Sequence, residues 1–191
     1  MIALGLDCGL VSGGLVVLDT AAREVLFSYE WRPMAKRNAD PEAMIEHAVY
    51  NGVTRDVYRT PRSVHAAGSI GAQIADRAVW MGLRWSLGAV AIEGVAPYGG
   101  ASGGASQASA SRALGAWREW LICQTGQAPV EVLPATWRAL LPKSGRKSGD
   151  LDRAGQRWCD LTLPGHGLTT AGGWDAAVMG WWVAHRRLCA R

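Results

Sequence analysis

The chain has 191 residues, of which 49% are apolar, and this length and composition predict one globular domain with a sizeable core. The formal net charge is +4, and the four cysteines are far apart without a CxxC pair, which argues against a zinc knuckle and a disulfide framework. The N-terminus has no basic stretch before its apolar run, and no apolar run reaches the roughly 18 residues of a transmembrane helix. We therefore expect a soluble, cytoplasmic protein without membrane contact.

Three short apolar strands open the chain. They are predicted at residues 2–6, 15–18 and 25–31, and the short turns between them predict an antiparallel meander. Residues 32–62 are irregular and basic, and Asp40 and Pro41 are placed as the cap and first residue of a helix that Gly52 would end. We interpret this segment as an insertion that leaves the sheet.

The rest of the chain alternates helical and strand patterns. Residues 64–84 have helical spacing, and residues 89–95 are apolar on both faces, which predicts a buried parallel strand. A Gly/Ala/Ser tract at residues 99–115 predicts a loop and then a helix to about residue 124, followed by a strand and exit turn at 130–137 and helices at 150–159 and 174–188. The order predicts an α/β fold with a mixed five-stranded sheet, three antiparallel meander strands and two parallel strands, flanked by helices.

Three acidic residues interrupt these apolar elements. Asp7 ends the first strand, Glu93 lies within the fourth, and Asp175 begins the final helix. A carboxylate removed from water costs several kcal/mol unless a partner compensates its charge. One shared divalent cation would satisfy all three, and oxygen-only ligands favour Mg²⁺ or Mn²⁺ over zinc. Two ions about 4 Å apart at such a site support phosphodiester hydrolysis.

Each of the three acids also has a simpler explanation. Asp7 is suited to cap its own turn, Glu93 to pair with a buried arginine, and Asp175 to favour a helix start through the helix dipole. The occurrence of all three in this strand order favours one shared site over three separate explanations.

One stretch of the chain is strongly basic. Residues 134–147 contain four basic residues and no acid, beside glycine and serine. Such a loop is suited to phosphate contacts, and an ordinary solvated loop is the alternative.

Four stretches of the sequence resemble the RNase H-like nuclease superfamily and, within it, the RuvC-like Holliday junction resolvases. They are "LGLDCG" followed by "SGG", "VAIEGV" before a Gly/Ser loop and a helix, "LPATWR" before a basic loop and a helix, and "DAAVMGWWVA" near the end. Together they span nearly the whole chain. The resemblance implies a single RNase H-like, RuvC-type nuclease domain over residues 1–191, with the basic insertion at about residues 32–62.

The resemblance also implies an activity. It implies a Mg²⁺-dependent endonuclease, in which Mn²⁺ can substitute, that resolves four-way or other branched DNA, leaves 5′-phosphate ends and acts as a homodimer without a nucleotide cofactor. It assigns metal ligation to Asp7, Glu93 and Asp175. The implied DNA contacts come from the loop and helix after Glu93 and from the basic loop: Ser102, Ser106, Arg112, Arg138, Lys143, Arg146 and Lys147.

The chain departs from the family pattern at its fourth active-site position. The residue three before the last aspartate, commonly Asp or His in these nucleases, is Gly172, and His166 is the candidate substitute for the missing group. Gly172 also supports an alternative function, a nuclease-like module with an incomplete site that binds branched DNA or serves as an assembly partner. Actin-type and sugar-kinase ATPases share an Asp and glycine turn of this kind, but 191 residues are too few for their two lobes. The sequence "PKSGRKSG" lacks the spacing of a P-loop.

Overall fold

The structure is a computed structural model that describes residues 1–9, 12–33, 43–50, 53–61, 87–95, 104–142 and 148–189. Its strands are β1 (Ile2–Asp7), β2 (Gly13–Asp19), β3 (Glu24–Pro33), β4 (Ala43–Tyr50), β5 (Val53–Pro61), β6 (Ala89–Glu93) and β7 (Val130–Val132). Its helices are α1 (Gly104–Thr125), α2 (Pro134–Trp137), a 3-10 turn (Arg138–Leu140), α3 (Ser148–Thr162) and α4 (Ala171–Cys189). None of the helices in these ranges contains the extended apolar stretch that a membrane span requires.

The described strands form one mixed sheet in the order β5-β4-β3-β2-β1-β6-β7. β1, β2 and β3 are antiparallel neighbours, whereas β6 pairs parallel with β1 and β7 pairs parallel with β6. The five strands β3-β2-β1-β6-β7 therefore confirm the predicted RNase H-like arrangement of three meander strands and two parallel strands.

The predicted helix after Pro41 is wrong. Residues 43–50 form β4, which pairs antiparallel with β3, and β5 pairs with β4 in turn. The insertion therefore extends the sheet by two strands and does not leave it. The dipeptide Asn51-Gly52, flanked by residues with high strand propensity, is a hairpin signal that outweighs the helix-start signal at Asp40 and Pro41. The helix predicted at residues 64–84 lies outside the described residues.

Helices cover both faces of the sheet, and alternate residues of each strand point to opposite faces. In β1, Ala3 belongs to the core beneath α4, whereas Leu4 and Leu6 belong to the core beneath α1. The α4 side is lined by small residues, including Ala89, Ala91, Ala176 and Ala177; the α1 side contains larger ones, including Phe27, Trp31, Trp117 and Leu121.

Helix α4 lies unusually close to β1 and β2 because glycines face one another there. A Cβ atom at Gly5 would lie 1.9 Å from the carbonyl oxygen of Ala176, and one at Gly14 would lie 2.7 Å from the backbone of Gly172. A Cβ atom at Gly172 would lie 2.4 Å from the backbone of Gly13. Any side chain at these glycines would displace the helix, so the glycines set the depth at which α4 rests on the sheet.

Candidate active site

Asp7 and Glu93 lie side by side at the ends of two parallel strands. The register that pairs Ala3 with Ala89 and Leu6 with Ile92 places Asp7 beside Glu93 when it continues by one residue. The alternation of each strand directs both carboxyl groups to the face that α4 covers. The interaction between the two carboxyl groups acts to raise the pKa of Asp7 and to lower the pKa of Glu93.

Asp175 reaches the same place on helix α4. The helix begins at Ala171, and its first turn contains no acidic residue, so Asp175 lies one turn further in than predicted. The helix dipole weakens beyond the first turn and does not by itself account for an acid there. Asp175 interacts electrostatically with both Asp7 and Glu93. The structure therefore brings together the three acids that the sequence singled out.

The pKa values of all three carboxyl groups are raised. Burial raises the pKa of Asp7 well above its ordinary value, and the charges of Glu93 and Asp175 raise it further. Burial also raises the pKa of Glu93. Burial, with the charge of Glu93, raises the pKa of Asp175 to about 7. Buried carboxyl groups with shifted pKa values that lie together are typical of functional sites, because burying several acids together lowers the stability of the fold.

Arg138 and Trp137 provide part of the compensation for this negative charge. The guanidinium of Arg138 lowers the pKa of both Glu93 and Asp175, and its Cζ atom lies 5.0 Å from the centre of the Trp137 ring. The indole N–H of Trp137 is buried and makes no hydrogen bond, yet it lies near enough to Glu93 to favour the ionised carboxylate. The turn after β7 therefore presents donors and a positive charge to the acids.

A fourth acid, Asp152, influences the site from helix α3. Its charge raises the pKa of Asp175. The same helix approaches α4 closely, since a Cβ atom at Gly155 would lie 3.6 Å from Oδ1 of Asp175. Asp152 is not among the predicted site residues, although its position near the start of the helix that follows the basic loop was a signal for it.

The donor set fits a hard divalent cation. Three carboxyl groups supply only oxygen ligands, which suit Mg²⁺ or Mn²⁺. A cation would offset the cost of burying these charges and the repulsion that adds to the raised pKa values of Asp7 and Asp175. Within the described ranges, no group of three or more His, Cys, Asp or Glu side chains is arranged so that it could hold a metal ion as it stands.

His166 lies in the loop between α3 and α4, and its ring makes hydrogen bonds with that loop and with the end of α3. Its Nδ1 atom accepts a hydrogen bond from the backbone N–H of Leu168 at 2.8 Å, so Nε2 carries the proton that faces Oδ1 of Asp160 at 3.0 Å. Gly172, at the family's fourth position, packs against Gly13 without room for a side chain. A role for His166 as the fourth group stays a prediction.

The predicted DNA-binding residues fall into two sets. Arg138 is described, and the structure places its exposed side chain beside the carboxyl groups. The remaining residues or their side chains lie outside what the structure describes: Ser102, Ser106, Arg112, Lys143, Arg146 and Lys147.

Two solved structures have a similar fold. The Thermus thermophilus RuvC structure matches with a TM-score of 0.58 and 16% sequence identity over 100% of this chain and 97% of that chain. T. thermophilus RuvC in complex with Holliday junction substrate matches with a TM-score of 0.51 and 14% identity over 98% of this chain and 96% of the other. No protein-family model matches the sequence, and no curated protein matches it. The chain therefore has the RNase H-like fold of RuvC, and the predicted resemblance is confirmed at the level of the fold.

Proposed function

We propose that this protein is a divalent-metal-dependent endonuclease that cuts branched DNA, with the four-way junction as its leading substrate. The observation that carries the proposal is the group formed by Asp7, Glu93 and Asp175, three carboxyls with raised pKa values gathered on one face of the sheet. The protein is similar in fold to RuvC, and one of the similar RuvC structures contains a Holliday junction substrate. This similarity supports the choice of DNA as the substrate.

The proposal assigns three tasks to these residues: metal binding, orientation of a ligand, and contact with the DNA backbone. Asp7, Glu93 and Asp175 would hold Mg²⁺ or Mn²⁺, and the ion would supply activation of the attacking water and charge neutralisation at the leaving oxygen. The backbone N–H of Gly9 donates a hydrogen bond to Oδ1 of Asp7 at 3.2 Å, which fixes the direction of that carboxyl group. Arg138 binds the phosphate backbone beside the site, where its charge is already directed at the acids.

The proposal also specifies the oligomeric state of the protein and the chemical ends of the cleaved DNA. Resolution of a four-way junction requires two symmetric nicks, so the protein would act in the cytoplasm as a homodimer with one site in each subunit. Each nick leaves a 5′-phosphate and a 3′-hydroxyl. Light scattering of the purified protein tests the first statement, and end-labelling of the products tests the second.

The cleavage experiment uses end-labelled four-way junction, flap and duplex DNA of one sequence, with Mg²⁺, Mn²⁺ or EDTA. We expect metal-dependent nicking of the branched substrates by the wild type, and loss of nicking with retained binding in Asp7→Asn. Glu131→Gln is the matched control, because Glu131 is an exposed carboxylate on β7 that pairs with Arg118 at 2.8 Å. Equal nicking by the wild type and Asp7→Asn would sink the proposed mechanism.

A binding module without catalysis is the second candidate. The close packing of Gly172 against Gly13 favours it, because no fourth ligand can extend from that position. The same titration separates the two functions. A pure binder shifts the mobility of the junction in both metals and never nicks it.

A further inference from the structure

A buried acid outside the group of three lies on the same face of the sheet. Glu30, on β3, is 0% exposed. The strand register places Gly14 opposite Asp7 and Glu30 opposite Gly14, so the three residues form one line across β1, β2 and β3. Residues paired in this way point to the same face. Asp7 and Glu30 therefore flank the strip of sheet on which the start of α4 rests.

Glu30 is bonded to the start of that helix. Its carboxylate accepts hydrogen bonds from the backbone N–H of Thr169 at 3.1 Å, the backbone N–H of Thr170 at 2.7 Å and the hydroxyl of Thr170 at 2.5 Å. The Thr170 hydroxyl in turn accepts the backbone N–H of Gly173 at 3.1 Å. The first N–H groups of a helix have no partner within it, and a negative charge there is favoured by the helix dipole. The carboxylate thus ties the first turn of α4 to β3.

The fit between the carboxylate and the helix leaves little freedom. A Cβ atom at Gly173 would lie 2.3 Å from Oε2 of Glu30. Asp175 follows Gly173 by two residues and lies within the same rigid helix. A displacement of the helix start would move the Asp175 carboxyl group with it.

We propose that Glu30 is a positioning residue that fixes Asp175 relative to Asp7 and Glu93 and thereby sets the affinity of the site for a divalent cation. Ligand distances near 2 Å tolerate little error, so a helix start that shifts by a fraction of an ångström weakens the site. The inference rests on the proposed function, because that function gives Asp175 its metal.

The test replaces Glu30 with glutamine, which keeps the shape and removes the charge. Glu24→Gln is the matched control, because Glu24 is an exposed carboxylate on the same strand. Mn²⁺ affinity is measured by calorimetry on the DNA-free protein, and junction affinity is measured in EDTA. We expect Glu30→Gln to lose roughly tenfold or more in both Mn²⁺ affinity and kcat, with junction affinity within about twofold of the wild type. A folded Glu30→Gln protein that binds Mn²⁺ as tightly as the wild type overturns the inference.

A second pair of variants keeps the test decisive if Glu30→Gln does not fold. Thr170→Val removes the hydroxyl link to Gly173 and keeps the side-chain shape, whereas Thr170→Ser keeps the hydroxyl. We expect Thr170→Val to lose several-fold in Mn²⁺ affinity and Thr170→Ser to retain it. Equal Mn²⁺ affinity in both variants and the wild type overturns the inference.

A double variant shows whether Glu30 acts through Asp175. Adding Glu30→Gln to Asp175→Asn should cause no further loss of Mn²⁺ affinity, because the residue that Glu30 positions is already gone. Independent, additive losses would contradict the positioning role. Failure of the proposed nuclease activity is distinguishable from failure of this inference. A wild type that binds Mn²⁺ but never nicks the junction contradicts the nuclease, whereas a Glu30→Gln protein that binds Mn²⁺ as tightly as the wild type contradicts the inference.

Discussion

Neutralising Asp175 should stabilise the metal-free protein. Burial and the charge of Glu93 raise the pKa of Asp175 from 3.8 to about 7. Because one pKa unit corresponds to about 1.4 kcal/mol, ionised Asp175 costs the folded state about 4 kcal/mol near pH 8. Asparagine has the same shape without the charge, and burial of its amide offsets part of the gain. We expect Asp175→Asn to raise the free energy of unfolding in EDTA by about 2 to 4 kcal/mol.

The pH dependence of this difference has a definite sign. An acid with a raised pKa in the folded state costs nothing while it is protonated in both states, below about pH 3.8. The cost grows as pH rises toward 7 and is constant above the folded pKa. Between about pH 5.5 and pH 8, the stability gap between Asp175→Asn and the wild type should therefore widen by about 2 kcal/mol.

Urea unfolding followed by tryptophan fluorescence measures this gap, with EDTA present at both pH values. Mn²⁺ at 100 times its Kd should then narrow the gap, because it stabilises the wild type by about 2.7 kcal/mol and a damaged site gains less. A gap that does not change with pH, or an Asp175→Asn protein that is less stable than the wild type near pH 8, would refute the reasoning.

Three further substitutions test the surroundings of the site. Gly14→Ala places a Cβ atom 2.7 Å from the backbone of Gly172, so we expect a loss of roughly 1 to 3 kcal/mol in urea unfolding together with weaker Mn²⁺ binding, and unchanged values would contradict the close packing. Arg138→Ala should weaken junction binding and lower the slope of log K against log salt by about 1, measured by fluorescence anisotropy, whereas an unaltered slope would argue against a phosphate contact. Trp31→Phe removes the hydrogen bond from the indole N–H to the Gly9 carbonyl at 3.1 Å. The expected cost is about 1 to 2 kcal/mol in thermal unfolding, and its absence would show that this bond does not support the turn after Asp7.

Much of the fold was predictable because its signals are local. The meander follows from short apolar runs separated by turn residues, and β6 follows from a stretch that is apolar on both faces. The grouping of Asp7, Glu93 and Asp175 was predictable for a related reason. Each acid interrupts an element that is otherwise apolar. The pairing of β1 with β6 brings Asp7 beside Glu93, and helix α4 adds Asp175.

The remaining features depend on tertiary packing. Glu30 lies in an alternating strand, where a polar residue normally faces water, and only the seating of α4 on the glycines of β1 and β2 buries it. Asp152 has the sequence context of an ordinary surface acid on a helix. β4 was missed for a different reason, because the cap signal at Asp40 and Pro41 competes with the hairpin signal at residues 51–52.

Cleavage of a four-way junction by the wild type and by Asp7→Asn, side by side in Mg²⁺, Mn²⁺ and EDTA, tests the central claim most directly. We expect the wild type to nick the junction only with a divalent cation, and Asp7→Asn to bind the junction equally well without nicking it. Nicking in EDTA, or equal nicking by the two proteins, would contradict the shared carboxylate site.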